Sequence, residues 1–263
     1  MAIASIDGLV GAQSQDFLLS KFTSMTTVAG VPFTVFAQPG NPGAGTLAGS
    51  STTTGVVPTS ATAGFPSIQA FSSGIGYLAG VEYTNNIACR LFLYDLLWKG
   101  GAYAFNANTT SNTPTSYASR VPNANYAGLE LWFEQVTAST GIQSVNVTYI
   151  NEVGTAGRTT GATSQGTAGI IGRMTRMPLQ AGDNGIQGVT GVAGTVATAG
   201  TFNVLVMRRL GSWRVPVPGG GDPVDFTRTR LPQVFAQSAM YMVVQSDSTA
   251  SGIPEIFANI RSA

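Results

Sequence analysis

Apolar and polar positions alternate with a period of two over much of this chain after residue 75, the signature of half-buried β-strands. Leu129, Leu131 and Phe133 predict an inward face, with Glu130 and Glu134 outward and Trp132 also on the outer face. Val145, Val147 and Tyr149 alternate with Asn146 and Thr148. Phe202, Val204 and Val206 interleave with Asn203, Leu205 and Met207, which predicts a strand apolar on both faces. Further strands are expected over 77–83, 89–98, 157–162, 171–180, 187–193, 240–245 and 256–261. Turns punctuate them: Gly154 and Gly157 can take positive φ between Glu152 and Arg158, 181–185 repeats that chemistry, and 216–223 reads as a surface loop. Half-buried and doubly buried strands with Gly-rich turns predict a mainly β fold, an antiparallel β-sandwich of jelly-roll or immunoglobulin-like type. No βαβ alternation occurs, which argues against a parallel α/β fold.

The first 37 residues read differently. Leu9, Val10, Phe17, Leu18, Phe22 and Met25 fall close to a helical stripe and predict a short N-terminal helix within 7–25. Asp7 is positioned to cap it, although Gly8 and Gly11 weaken its opening turns. A short β-rich piece follows over 31–37. Residues 38–66 are almost wholly Gly, Pro, Ser, Thr, Ala and Val with no charged side chain, which predicts an extended low-complexity arm or linker, able to lie across a neighbour in an assembly. The expected organisation is an N-terminal helix and strand (1–37), the arm (38–66) and a β-sandwich domain (67–263).

Composition changes the picture of the surface. Charged residues make up 10% of the chain and the formal net charge is +1, whereas about 25% charged is usual for a soluble domain. Disorder needs low hydrophobicity with high net charge, and neither holds. A folded monomer would present a neutral exterior prone to association, so subunit contacts are expected to cover much of it. Only Lys21 and Lys99 are lysines; the other basic residues are arginines, the cation favoured at interfaces, although an Arg-biased genome would give the same count. No basic run suggests sequence-specific nucleic-acid binding. The opening residues lack the pattern of a signal peptide, and no apolar run reaches the ~18 residues that span a bilayer, so no membrane partner is expected and folding is expected in a cytoplasm.

Candidate chemistry is sparse. Histidine is absent, which removes the usual general base and the commonest metal ligand, and Cys89 is alone in an apolar stretch, where it reads as a buried small hydrophobe. Gly219–Gly221 is not followed by a helix pattern and is not a phosphate loop. Glu130 and Glu134 would stand about 13 Å apart along one strand, wider than the 5–9.5 Å that glycoside hydrolysis uses. Asp222 and Asp225 sit in a Pro/Gly loop, and Asp183 with Asn184 lacks the acidic spacing of a calcium loop. Trp98, Trp132 and Trp213, with the scattered tyrosines, could mark a sugar-binding face but more often form core or subunit interface. The expectation is a non-enzyme with no catalytic, cofactor or metal-binding residues.

Several segments then carry a resemblance. Ser5–Val10, Thr26–Gly30, Pro39–Gly45, Leu93–Trp98, Val147–Thr160 and Met177–Ile186, in this order, resemble a group of uncharacterised structural proteins of tailed bacteriophages. The resemblance implies a virion protein associated with the head, a decoration or cement component whose partners are further copies of itself and the major capsid protein or other virion proteins. A homo-oligomer, with a trimer as first candidate, is the expected state. A tail or fibre component, the lattice-forming capsid protein itself and a carbohydrate-binding host-attachment module are the alternatives.

Overall fold

The computed structural model describes residues 5–72, 74–111, 115–166, 169–196 and 198–262. In chain order its elements are α1 (Ile6–Val10), β1 (Gln13–Lys21), β2 (Pro32–Thr34), β3 (Gly40–Asn41), β4 (Ser51–Val56), β5 (Ile75–Thr84), β6 (Cys89–Ala104) and β7 (Asn108–Thr110). Two short 3-10 turns follow, at Thr115–Arg120 and Pro122–Ala124. The remainder are β8 (Leu129–Thr137), β9 (Val145–Asn151), β10 (Arg158–Thr159), β11 (Met174–Arg176), β12 (Ile186–Gly194), β13 (Thr201–Val215), α2 (Phe226–Thr229), β14 (Gln233–Phe235), β15 (Met240–Ser246) and β16 (Glu255–Ser262).

Two long antiparallel strands, β6 and β13, form the spine of the largest sheet, whose order is β11-β8-β13-β6-β15-β2 with β4 also paired to β6. Its two edges meet: Phe33 of β2 bridges with Arg173, next to β11, and Thr34 N donates to Gly172 O at 2.8 Å. The sheet therefore curls towards a barrel at this level, which buries both faces of its strands.

Two smaller antiparallel sheets cover the outer face of this spine, one towards each end. Sheet β14-β5-β16-β1-β3 packs Phe17, Leu78, Val81, Ile256 and Ile260 against Leu91, Leu93, Trp213 and Val244. Sheet β10-β9-β12-β7 packs Val145, Val147, Tyr149 and Val189 against Leu97, Leu131, Phe133 and Val204. A third cluster, with Leu96, Trp132, Met174, Leu205, Met207 and Tyr241, fills the inside of the curl. The protein is mainly β and antiparallel, a sandwich combined with a barrel-like sheet, with a short N-terminal helix. The doubly apolar strand predicted at 202–207 is β13: Val204 and Val206 enter one core, Leu205 and Met207 another.

The N-terminal segment corrects the expected extent of the helix. Ser5, not Asp7, caps α1 through a 3.0 Å bond from Gly8 N, and the helix stops at Gly11. Residues 13–21 are a strand because Phe17 and Leu19 also satisfy a period of two, and pairing with β16 from Gln13–Ser262 to Ser20–Glu255 outweighs the helical alternative. Leu18 faces outward and Phe22 is 65% exposed, so the predicted helical face of Leu18, Phe22 and Met25 does not exist. β1 lies inside a sheet, paired along its length with β16.

Residues 38–66 lie against the large sheet rather than away from it. Phe65 enters the inner core beside Phe36, with ring centroids 4.7 Å apart. Gly45 and Gly64 make that contact possible: a Cβ at either would collide with the Phe36 ring, and Gly64 has φ +92.

Candidate functional site

Polar chemistry concentrates inside the barrel-like sheet. Glu130 and Glu134, expected to face out, are 3% and 0% exposed, and Trp132 between them is 6% exposed. The reason is the curl: the face of β8 that a flat sandwich would leave wet is enclosed. Glu134 accepts from Tyr241 Oη and from Asn203 Nδ2, the latter at 2.6 Å, and Tyr241 also receives the Thr34 hydroxyl at 2.7 Å. Burial pushes the Glu134 carboxyl above its ordinary range, against the opposing pull of Lys99 and these hydrogen bonds. Glu130 Oε2 accepts from Trp132 Nε1 at 2.9 Å and Tyr94 Oη at 3.1 Å, while Oε1 lies 3.5 Å from Arg209 and 3.9 Å from Arg176. Burial, then the Glu130 charge, pushes the Tyr94 phenol up.

A second network sits between the two outer cores. Asp95 is fully buried on β6, between Leu93 of one core and Leu97 of the other. Its Oδ1 accepts from Arg120 at 3.1 Å and Ala239 N at 2.9 Å; its Oδ2 accepts from Arg208 at 3.2 Å and Ser238 Oγ at 2.7 Å. Arg120 also donates to the carbonyls of Leu96, Leu97 and Gln237. Each charge is therefore met, and the network locks a 3-10 turn, two central strands and the 237–239 turn together. The sequence signal for this network is a lone Asp inside the apolar run Leu93–Trp98, which alternation does not single out.

The charged side chains that hold the low-complexity segment belong to other elements. Lys21 donates to Gln38 O and Pro42 O at 3.0 and 3.2 Å, and Lys99 to Thr46 O and Leu47 O at 2.8 and 3.1 Å. Both lysines of the chain are thus spent on this one segment. Asn203 bonds Leu47 O and Gly49 N, and Trp98 Nε1 donates to Thr54 O at 3.0 Å. Between segment and sheet remains a largely apolar cavity of about 270 Å³ lined by Phe36, Val56, Pro58, Phe65 and Lys99.

The remaining candidates from the sequence are dispersed. Asp183 is engaged by Arg158, Tyr149 and Asn151 at 2.6–3.0 Å, and the Arg158 bonds hold its carboxyl far below the usual range. It borders an open depression of about 450 Å³ with Glu130 and Arg176. Asp225 caps α2 through Thr227 and Arg228, which lowers its pKa, and Asp222 is exposed. Cys89 is buried and receives Asn85 Nδ2, and burial pushes its thiol up. Trp98, Trp132 and Trp213 are all buried, so none offers a ring to a sugar. Among the described residues no group of three or more His, Cys, Asp and Glu side chains is placed to hold a metal, and no helix is long and apolar enough to cross a membrane.

Fold and interior together describe a mainly β protein that buries Lys21, Asp95, Arg120, Glu130, Glu134 and Arg208 in internal polar networks. No family model and no curated protein matches the chain. Among solved structures, the T13 particle of infectious bursal disease virus aligns over 96% of this chain and 40% of that one at 12% identity, with a TM-score of 0.13. The VP2 subviral particle of the same virus aligns over 95% and 42% at 10% identity and a TM-score of 0.12. The chain thus spans about two-fifths of the length of these proteins, and scores of this size fall short of a shared fold.

Proposed function

We propose that this protein is a structural component of a tailed-phage virion that decorates or cements the head by association with copies of itself and with other virion proteins. The observation that carries the reading is where the charge goes. Only 10% of the chain is charged, and of its 25 charged side chains Lys21, Asp95, Arg120, Glu130, Glu134 and Arg208 are buried, so few charges remain to solvate the exterior of a 263-residue protein. Such a surface is better suited to lasting contact with protein than to isolation in water. The sealed polar networks add stiffness without leaving an unsatisfied carboxylate poised for chemistry, and the resemblance of the Val147–Thr160 and Met177–Ile186 segments points to the same class. The mechanism is area multiplied by symmetry, many weak contacts repeated over a lattice.

The test is binding of the purified protein to phage heads that lack it, followed by heating of loaded and bare heads. Saturable binding with delayed release of DNA is expected. A protein that ignores heads, or that turns over a substrate, overturns the reading.

A further inference from the structure

The end of the molecule built on β1, β5 and β16 presents two exposed faces of opposite net charge. On the large sheet, Leu91 and Trp213 point into the core, so their neighbours Arg90 and Arg214 point away from it. These two arginines stand directly opposite each other on β6 and β13, both exposed. Like charges in direct cross-strand register oppose folding. The same side of the sheet, which deeper in becomes the inside of the curl, carries Arg209 and Arg176, 49% and 59% exposed, beside half-buried Phe92, which packs against the inner cluster. Its acids are Glu130, already buried and shared, and Asp247, 3.8 Å from Arg214.

The opposite outer face belongs to the five-stranded sheet. Glu82, Phe257 and Leu18 lie in one row across β5, β16 and β1. Glu82, Glu255, Asp222 and Phe257 line one open depression of about 390 Å³, and Asp16 is exposed on the same sheet face; its cations are Arg228, beside Glu82 in the adjoining depression, and Arg261, which donates to Asn259. Each face thus carries an excess of one sign of charge beside a partly exposed phenylalanine, and the two excesses are opposite.

We infer that the arginine face of one copy docks on the acidic face of a second copy, head to tail. The inference rests on the assembly reading above and deepens it by naming the surface. The occupant is a copy of this chain because the complementary face is on the chain itself, at the far side of the same two layers. Contact between opposite faces is heterologous, so repetition builds an open stack or a ring rather than a closed two-fold dimer.

A charge swap tests this. Arg90→Glu with Arg214→Glu gives a protein acidic on both faces; Glu82→Arg with Glu255→Arg gives one basic on both. All four positions lie outside the cores, and circular dichroism checks that each variant folds. Sedimentation velocity of the full chain should show wild type associating, each variant alone associating at least about tenfold more weakly, and an equimolar mixture of the two variants recovering association. Raising salt from about 0.05 to 0.5 M should weaken the wild-type contact. If wild type associates and neither variant changes it, this interface is wrong while assembly by other surfaces stands. A wild-type chain monomeric at about millimolar concentration overturns both. Retention of duplex DNA through Arg90 and Arg214 without self-association would make the face a nucleic-acid site and overturn the inference.

Discussion

Lys99 Nζ lies 2.8 Å from the carbonyl oxygen of Thr46, across 53 positions of sequence, and 3.1 Å from that of Leu47. A segment with no charged side chain of its own is thus held by a charge belonging to the sheet beneath it. Burial lowers the Lys99 pKa, and nearby Glu134 acts in the opposite direction. Lys99→Met removes both bonds and should cost about 1–2 kcal/mol, since the group is only partly buried and solvent screens part of its charge. Limited proteolysis should then cut faster within 43–62, and an unchanged cleavage rate would show that the segment is held by its apolar contacts alone.

Asp95 is the most heavily committed carboxylate. Asp95→Ala leaves Arg120 and Arg208 buried without their counter-charge and should destabilise the fold by about 3–5 kcal/mol. Asp95→Asn keeps a carbonyl for part of the network and should cost less. Urea unfolding measures both; a loss under about 1 kcal/mol for the alanine variant would mean the arginines find other partners.

Glycine 64 is required by geometry. Its φ of +92 and the crowding by Phe36 and Gly45 leave no space for a methyl group, so Gly64→Ala should cost about 1–3 kcal/mol. Gly219, with φ +73 but open space around it, is the matched control. Gly219→Ala should cost less than Gly64→Ala in thermal melts, and equal losses would show that backbone conformation, not packing of the Phe36–Phe65 pair, sets the effect.

Stability should respond to alkaline pH in two opposed phases. Burial lowers the Lys21 pKa to about 8 from an ordinary 10.5, so between those values the unfolded chain binds more protons than the folded one. The Lys21 contribution therefore rises with pH across that window. The buried phenols act in the opposite sense: burial raises Tyr103 and Tyr149 to about 12, so their contribution is complete below pH 10 and lost as pH climbs through 12. Thermal melts from pH 7 to 12 should show Tm holding or rising to about pH 10 and then falling steeply. Lys21→Met should flatten the first phase and leave the second, and a variant whose first phase is unchanged would assign that phase to another group.

Much of the β architecture could be read from local pattern. Strands at Leu129, Val145 and Phe202 show their period of two, and Gly154, Gly157 and Gly182 adopt positive φ at the turns assigned to them. Reading failed where two periods fitted the same residues: Phe17 and Leu18 satisfy a helix as well as a strand, and β16, more than 230 residues away, decides between them. It failed again at Glu130, Trp132 and Glu134, whose alternation implied a wet face. Alternation separates the two sides of a strand but does not say what covers either.

The sequence by itself determined the class: a folded, charge-poor, turn-rich antiparallel β-protein whose lone cysteine lies in an apolar strand. Those properties follow from composition and short-range periodicity, which each segment carries alone. Only the tertiary structure decided that the large sheet curls, that Glu134 and Asp95 are sealed into networks, that Lys21 and Lys99 fasten a neutral segment, and that Arg90 faces Arg214. These depend on contacts between residues tens to hundreds of positions apart, and the burial that shifts a pKa or unites like charges exists only once distant strands have packed.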